Sequence, residues 1–242
     1  MPGLNLVQTA LEKAVTIPSA TIHAHVESLR RRNPQASPER IVELLEKEYL
    51  LVVAGAGGAV GAAAAAPVVG TGVATALTVS DVATFFAASA AFSLAVASVH
   101  GIDVEDTDRR KALLLTSVLG EEGAKAVESA ADVSAMRLGR LLLTRMPRSS
   151  VKKVNSALTR KLLQKQTARI AGLALGRLAP YGIGAAIGVA GGRAMGRTVV
   201  EGARLAFGPP PERFPQVVEG TARDVEPRSL YSRPPALPRG RR

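Results

Sequence analysis

The stretch from Leu50 to Ile102 limits most sharply what this chain can fold into. It reads LVVAGAGGAVGAAAAAPVVGTGVATALTVSDVATFFAASAAFSLAVASVHGI, and its only formal charge is Asp81. A run of this length without Lys, Arg or Glu has to be hidden from water, inside a bundle or inside a bilayer. Its residue types favour helix. Apolar residues make up 47% of the chain but aromatics only 3%, so the apolar content is mostly Ala, Val and Leu. Ala and Leu rank high in helix propensity, whereas strands draw on Tyr, Phe, Ile and Thr. The expected fold is all-α: a helical bundle built around an Ala/Gly-rich apolar hairpin. With no cysteine, the chain has no disulfide framework, thiolate metal site or Cys nucleophile.

Spacing sets the order of elements. Leu4, Val7, Leu11 and Val15, then Ile22, Val26 and Leu29 after Pro18, predict two amphipathic helices, the second ending in Arg30-Arg31-Arg32. The N-terminus has no basic segment leading into an apolar one, so no cleavable signal peptide is expected. Ser37-Pro38-Glu39 is a helix start: a capping Ser, a Pro at the first helical position, an acid in the first turn. The helix it opens is charged at first (Glu39, Glu43, Glu46, Lys47, Glu48) and bare from Leu50 to Pro67. A second apolar helix is expected from about Val73 to Val99. Crossing a hydrocarbon core takes ~20 apolar residues. The first apolar helix is near that limit and the second is long enough, so insertion and burial both fit. The domain division expected is 1–36 for the amphipathic helices, 37–207 for a helical domain and 208–242 for a disordered Pro/Arg-rich tail.

Small residues recur at helical spacing in two places. Gly57 and Gly61 are four apart, and Gly184, Gly188, Gly192 and Gly196 repeat every fourth residue. Such a glycine zipper lets another backbone approach closely, so the two ridges are expected to pack on each other or on a second copy. Asp81 either caps the second apolar helix or needs a basic partner. Arg177, in an apolar helix expected from Ile170 to Gly192, is the candidate for that partner.

The net charge of +11 is concentrated. From Val133 to Val200 there is no Asp or Glu, while Lys152, Lys153, Arg160, Lys161, Lys165 and Arg169 fall within one expected amphipathic helix and its continuation. Val151, Val154, Leu158 and Leu162 form the opposite stripe. The pattern suits anionic lipid headgroups or a solvated face on a core-facing helix. Nucleic acid is set aside as a partner, since no recognition motif or aromatic platform accompanies the charge. The acidic run Asp103, Glu105, Asp106, Asp108 lacks the glycine and glutamate of a calcium loop, so Asp103 or Asp106 is read as a helix cap. RPPALPR near the C-terminus has the form of a polyproline ligand.

The order of these segments carries a resemblance. An Ala/Gly-rich apolar segment and Asp81 on a second apolar helix are followed by HGIDVEDTDRR (100–110) and LLLTSVLG (113–120). The basic stretch VKKVNSALTRKLLQKQTARIAGLALGRL and PYGIGAAIGVAGGRAMGRTVVEGARLAFG come after them. From about Glu39 to Phe207 this resembles the EcsC family of bacterial proteins. The matching positions are Asp81, Gly101, Asp103, Arg109 or Arg110, Gly120, Gly184, Gly188 and Arg197. The family more usually has Pro shortly before the Asp and an aromatic before the Gly, where this chain has Val79-Ser80 and His100. The resemblance implies a helical protein associated with the cytoplasmic side of a bacterial inner membrane, in some cases linked with an ABC transporter, and names no reaction.

No catalytic motif emerges. His23 and His25 are two apart, His100 has no Ser or Cys motif beside it, and AGAGGAVG follows a Glu-rich helix with no βαβ pattern. The expectation is a non-catalytic, membrane-associated helical protein without cofactor or metal, accessory to a membrane transport or envelope system. Its partners would be anionic membrane lipids, with self-association or a membrane-protein partner. The alternative is a cytoplasmic Ala-rich bundle that binds an acidic partner through its basic 137–169 face.

Overall fold

Proline and capping side chains divide the chain into helices that sort by how much apolar surface each must hide. A computed structural model describes residues 2–64, 71–131, 142–176 and 183–215, and these are all-α, without a strand. The helices are α1 (Pro2–Ala14), α2 (Ser19–Arg32), α3 (Pro38–Ala64), α4 (Thr71–Val99), α5 (Thr107–Leu119), α6 (Glu121–Ala131), α7 (Arg148–Gly176) and α8 (Ile183–Phe207). Ser37 Oγ accepts the Arg40 amide at 3.2 Å at the start of α3, and Asp106 accepts the Arg109 amide at 3.0 Å at the start of α5. Gly120 ends α5 at φ +61°, a conformation that a side chain would strain.

α4 has no polar face and takes the central position. It packs against α1, α2, α3, α5 and α8. Its second half is the densest part of the core, with Phe86, Ala90, Phe92, Leu94, Ala95, Val96, Ala97 and Val99 all buried. α1 covers it with Val7, Leu11 and Val15, and α2 with Ile22, Val26 and Leu29. The N-terminal helices therefore share one core with α3 to α8. On α3, Tyr49 stacks on Phe92 at 4.9 Å. Ser89 Oγ donates to Phe85 O at 2.7 Å, so the Tyr49 hydroxyl donates to Ser89 at 2.8 Å. Burial pushes the Tyr49 phenol above its usual range.

Two adjacent arginines tie the elements at this end together. Arg110 is buried, and its guanidinium donates to the carbonyls of Val15, Ile17 and Val104 and to Ser19 Oγ. One side chain thus joins the end of α1, the start of α2 and the loop before α5. Arg109 donates to Leu142 O at 2.6 Å and Met146 O at 2.8 Å, holding the segment that leads into α7.

Three expectations are corrected. α4 begins at Thr71, so Asp81 lies nearly three turns inside it, partly buried, and does not cap its start. The apolar run from Ile170 to Gly192 is not one helix. α7 ends at Gly176 and α8 begins at Ile183, on either side of Pro180, whose ring and missing N–H oppose a continuous helix. The tail does not leave the bundle at 208 either. Residues 208–215 run across it, with Arg30 over the Phe214 ring at 4.0 Å and Pro215 against Gly101. The remainder of the expected tail lies outside the described residues.

Arg110→Met removes the donors of three buried carbonyls at once. It is expected to lower the unfolding free energy by at least about 3 kcal/mol in urea titration. Arg110→Lys is expected to recover little of that, because an ammonium cannot reproduce the planar fork.

Candidate functional site

Two backbones touch where α3 crosses α8, and that contact organises the apolar end of the molecule. A Cβ built on Gly57 would collide with Gly188 O, and one on Gly188 with Gly57 O. A Cβ on Gly192 would meet Val53 O at 2.5 Å. One on Gly196 would meet Leu50 Cδ2 and Val53 Cγ2 at 2.8 Å. Glycine at these positions lets the helices approach to backbone contact, and α3 packs more extensively on α8 than on any other helix. The pairings Gly57–Gly188, Val53–Gly192 and Tyr49–Gly196 run antiparallel. Gly61 and Gly184 lie one turn further along the same two helices, and their surroundings are outside the described residues.

This register places the end of α3 and the start of α8 together. The Tyr49–Ser89 and Tyr49–Phe92 contacts fold α4 back along α3, so the start of α4 is at the same end. Only six residues separate α7 from α8, which keeps the end of α7 within about 25 Å of it. Three helix segments, of α3, α4 and α8, therefore converge, with the end of α7 within loop reach of them, and all four stretches are free of charge. Positions 50–64, 71–80, 170–176 and 183–192 contain no Asp, Glu, Lys or Arg.

This end is not covered as the core is. Leu51 is 70% exposed and Val52 49%, and Gly55 and Ala59 continue the open face along α3. Val189 and Ala190 are open on α8. Charge returns at Arg193 and Arg197, both exposed. Among the described residues one helix segment, Asp81–Val99, is long and apolar enough to cross a membrane by length and composition, but 56% of it is buried inside the protein. The most membrane-like stretch is thus mainly core, and the open apolar surface belongs to α3 and α8.

The basic helix is placed differently from the membrane-surface reading. Val151, Val154, Leu158 and Leu162 of α7 are buried, and the helix packs on α5 and α6. Its apolar stripe is consumed by the protein. Lys152, Lys153, Arg160 and Lys161 remain exposed on the other side, so this face can attract an anionic surface by charge alone. The side chains of Lys165 and Arg169 lie outside the described residues, as does Arg177, and with it the expected Asp81–Arg177 pair.

The histidines and acids are engaged in holding elements together. His23 meets Ser98 Oγ at 2.9 Å and Asp103 at 3.5 Å, while His25 meets Glu48 at 2.9 Å. His100 is buried and stacks on Phe207 at 5.1 Å. Among the described residues, no three His, Cys, Asp or Glu side chains gather as a metal site. Sequence reasoning missed the bidentate pair in which Arg204 donates to Glu46 at 2.7 and 2.6 Å, joining α8 to α3. That hydrogen bonding raises the Arg204 guanidinium above its usual range. The two residues are 158 apart, and no local spacing announces the pair.

No protein-family model matches the chain, and no curated protein or solved structure matches it.

The seam separates its glycines from neighbouring ones that face open space. Gly188→Ala is expected to cost at least about 2 kcal/mol, because two backbones must separate. Gly191, with nothing within 4 Å of its Cβ position, is expected to gain about 0.5–1 kcal/mol on change to Ala through helix propensity. Thermal unfolding of the two single variants checks the contrast.

Proposed function

We propose that this is a non-catalytic, membrane-associated helical protein whose uncharged bundle end enters one leaflet of an anionic bilayer. The observation that carries the reading is the convergence of three uncharged helix segments, of α3, α4 and α8, with Leu51, Val52 and Val189 open along their sides. Leaving that surface in water is unfavourable, and hydrocarbon removes the cost.

Length argues for insertion without crossing. At 1.5 Å per residue the uncharged part of α3, from Leu50 to Ala64, is about 22 Å long, and that of α8, from Ile183 to Gly192, about 15 Å. Both fall short of a hydrocarbon core of roughly 30 Å. The charges that would meet headgroups follow from the same scale. Arg193 and Arg197 lie about 15 and 21 Å from the start of α8, and Arg160 and Lys161 about 22–24 Å from the end of α7. Lys152 and Lys153 lie about 35 Å from it, beyond the headgroup layer. On the same scale Lys165 lies about 16 Å and Arg169 about 10 Å from the end of α7, so the contact ring is Arg160, Lys161, Lys165, Arg169, Arg193 and Arg197, each basic residue near the surface contributing about 1 kcal/mol.

The resemblance to the EcsC family supports the same placement, on the cytoplasmic side of a bacterial inner membrane. It also supports an accessory role in membrane transport or envelope work. A second reading rests on the burial of the α7 stripe: the bare basic face would hold an acidic protein instead of lipid.

Vesicle flotation tests the choice. The protein is expected to float with phosphatidylglycerol-containing vesicles and to be retained in part at 0.5 M salt. Leu51→Asp combined with Val52→Asp should abolish flotation while leaving the thermal midpoint nearly unchanged, since both sites are exposed. Arg160→Glu with Lys161→Glu should weaken flotation more than tenfold, and Lys152→Glu with Lys153→Glu less than threefold. Complete release by salt, or equal loss from the two basic pairs, would overturn insertion in favour of the acidic-partner reading.

A further inference from the structure

At the charged end of the bundle the start of α3 and the ends of α4 and α8 enclose a half-open cavity of about 460 Å³. Val42, Phe92, Val96 and Phe207 form apolar walls, and Pro209 and Pro210 of the crossing segment form one edge. Glu39, Glu43 and Glu46 line it from α3. Glu46 is committed to Arg204, and Glu43 is paired with Arg40 on the same helix face. Glu39 is exposed and forms no ion pair among the described residues. The carboxyl ends of α4 and α8 add partial negative charge. Such a site selects a cation carried on an apolar body.

We propose that this cavity receives the chain's own C-terminal segment Arg233–Arg239, RPPALPR, with prolines against the aromatic walls and arginines on Glu39 and Glu43. Proline-rich segments dock in aromatic-lined grooves, because the polyproline conformation loses little entropy on binding, and a flanking arginine on an acid sets direction. The last ten residues supply that chemistry, with Pro234, Pro235 and Pro238 beside Arg233, Arg239, Arg241 and Arg242 and no acid. The tether fits as well. The described chain stops at Pro215, packed on Gly101, the neighbour of the cavity residue His100. From there residues 216–232 can reach as far as about 60 Å, so the segment samples the cavity at the high effective concentration of an intramolecular ligand.

The absence of native cysteine allows a clean test in the full chain. A nitroxide on Ala236→Cys should broaden the methyl resonances of Val42 and Val96 at least fivefold more than those of Val189, which lies against Gly58 further toward the uncharged end. Glu39→Gln with Glu43→Gln, or Arg233→Glu with Arg239→Glu, should each remove that excess, as should 0.5 M salt. Both pairs are exposed or terminal, so an unchanged spectrum elsewhere shows that the fold persists. Uniform broadening, or an excess indifferent to the glutamates, overturns the proposal. So does binding of added phenethylammonium that shifts Val42 and Val96 while leaving the label's effect unmoved, since the cavity then serves a small amine and not the tail.

Discussion

The approach of α3 and α8 to backbone contact is the constraint on which the rest of the molecule depends. Helices normally pack 8–10 Å apart, with side chains between them. Here Gly57, Gly188 and Gly192 remove those side chains, and each helix presents a carbonyl to the other's Cα. The arrangement has a cost in both states. Each glycine is worth roughly 0.8–1 kcal/mol less than alanine in a helix, and the unfolded chain gains freedom from it. The compensation is close packing over the length of two long helices. It also explains why the apolar stretch is built from Ala and Gly rather than Leu and Ile: larger side chains would hold the helices apart. Gly202 repeats the device on another face of α8, where a Cβ would run into Ser117 O of α5.

The opposite end is held by a different kind of interaction. Arg109 and Arg110 supply donors to the carbonyls that helix ends and loops leave without partners. A guanidinium suits this task because its donors are fixed in one plane and it does not lose its charge. Glu46 and Arg204 extend the polar bracing up the α3–α8 interface to within one helical turn of the first seam glycine contact, at Tyr49 and Gly196. The interface is therefore graded, from charged through aromatic to glycine-only, and the grading follows the change in character that α3 shows along its own sequence.

Much of this could be read from the residues, and the failures have physical causes. Helix starts were legible where a side chain caps them locally, as at Ser37 and Asp106. The small-residue spacing identified the surfaces that now meet at Gly57 and Gly188, because a glycine every fourth residue has few other uses in a helix. The cap reading of Asp81, one of two, fails because its apolar neighbours continue the helix on both sides, so nothing nearby marks the start at Thr71. The stripe of α7 was ambiguous for a deeper reason: an apolar face says that something covers it and not what, and here the cover is α5 and α6. Arg110 and the Glu46–Arg204 pair were invisible because their partners are distant in sequence. A charged residue next to a helix start looks the same whether it faces solvent or ties three elements together.

The two ends differ in how tightly they hold themselves together, and the proposed membrane contact rests on that difference. The charged end is braced by polar contacts: Arg109 and Arg110 bind the carbonyls of five residues, and His23 and His25 are engaged with Ser98, Asp103 and Glu48. At the uncharged end the described residues are helical and bond internally, while the side chains of Leu51, Val52 and Val189 are open. A surface with satisfied backbone and exposed apolar side chains meets the conditions for contact with hydrocarbon, where irregular backbone is not tolerated. The glycine seam makes that end narrow, and its short uncharged segments make it shallow. On the proposed membrane reading, a shallow apolar tip beside basic residues favours reversible entry from one side over a permanent crossing, because the energy released grows with apolar area buried, and alanine and glycine contribute little of it.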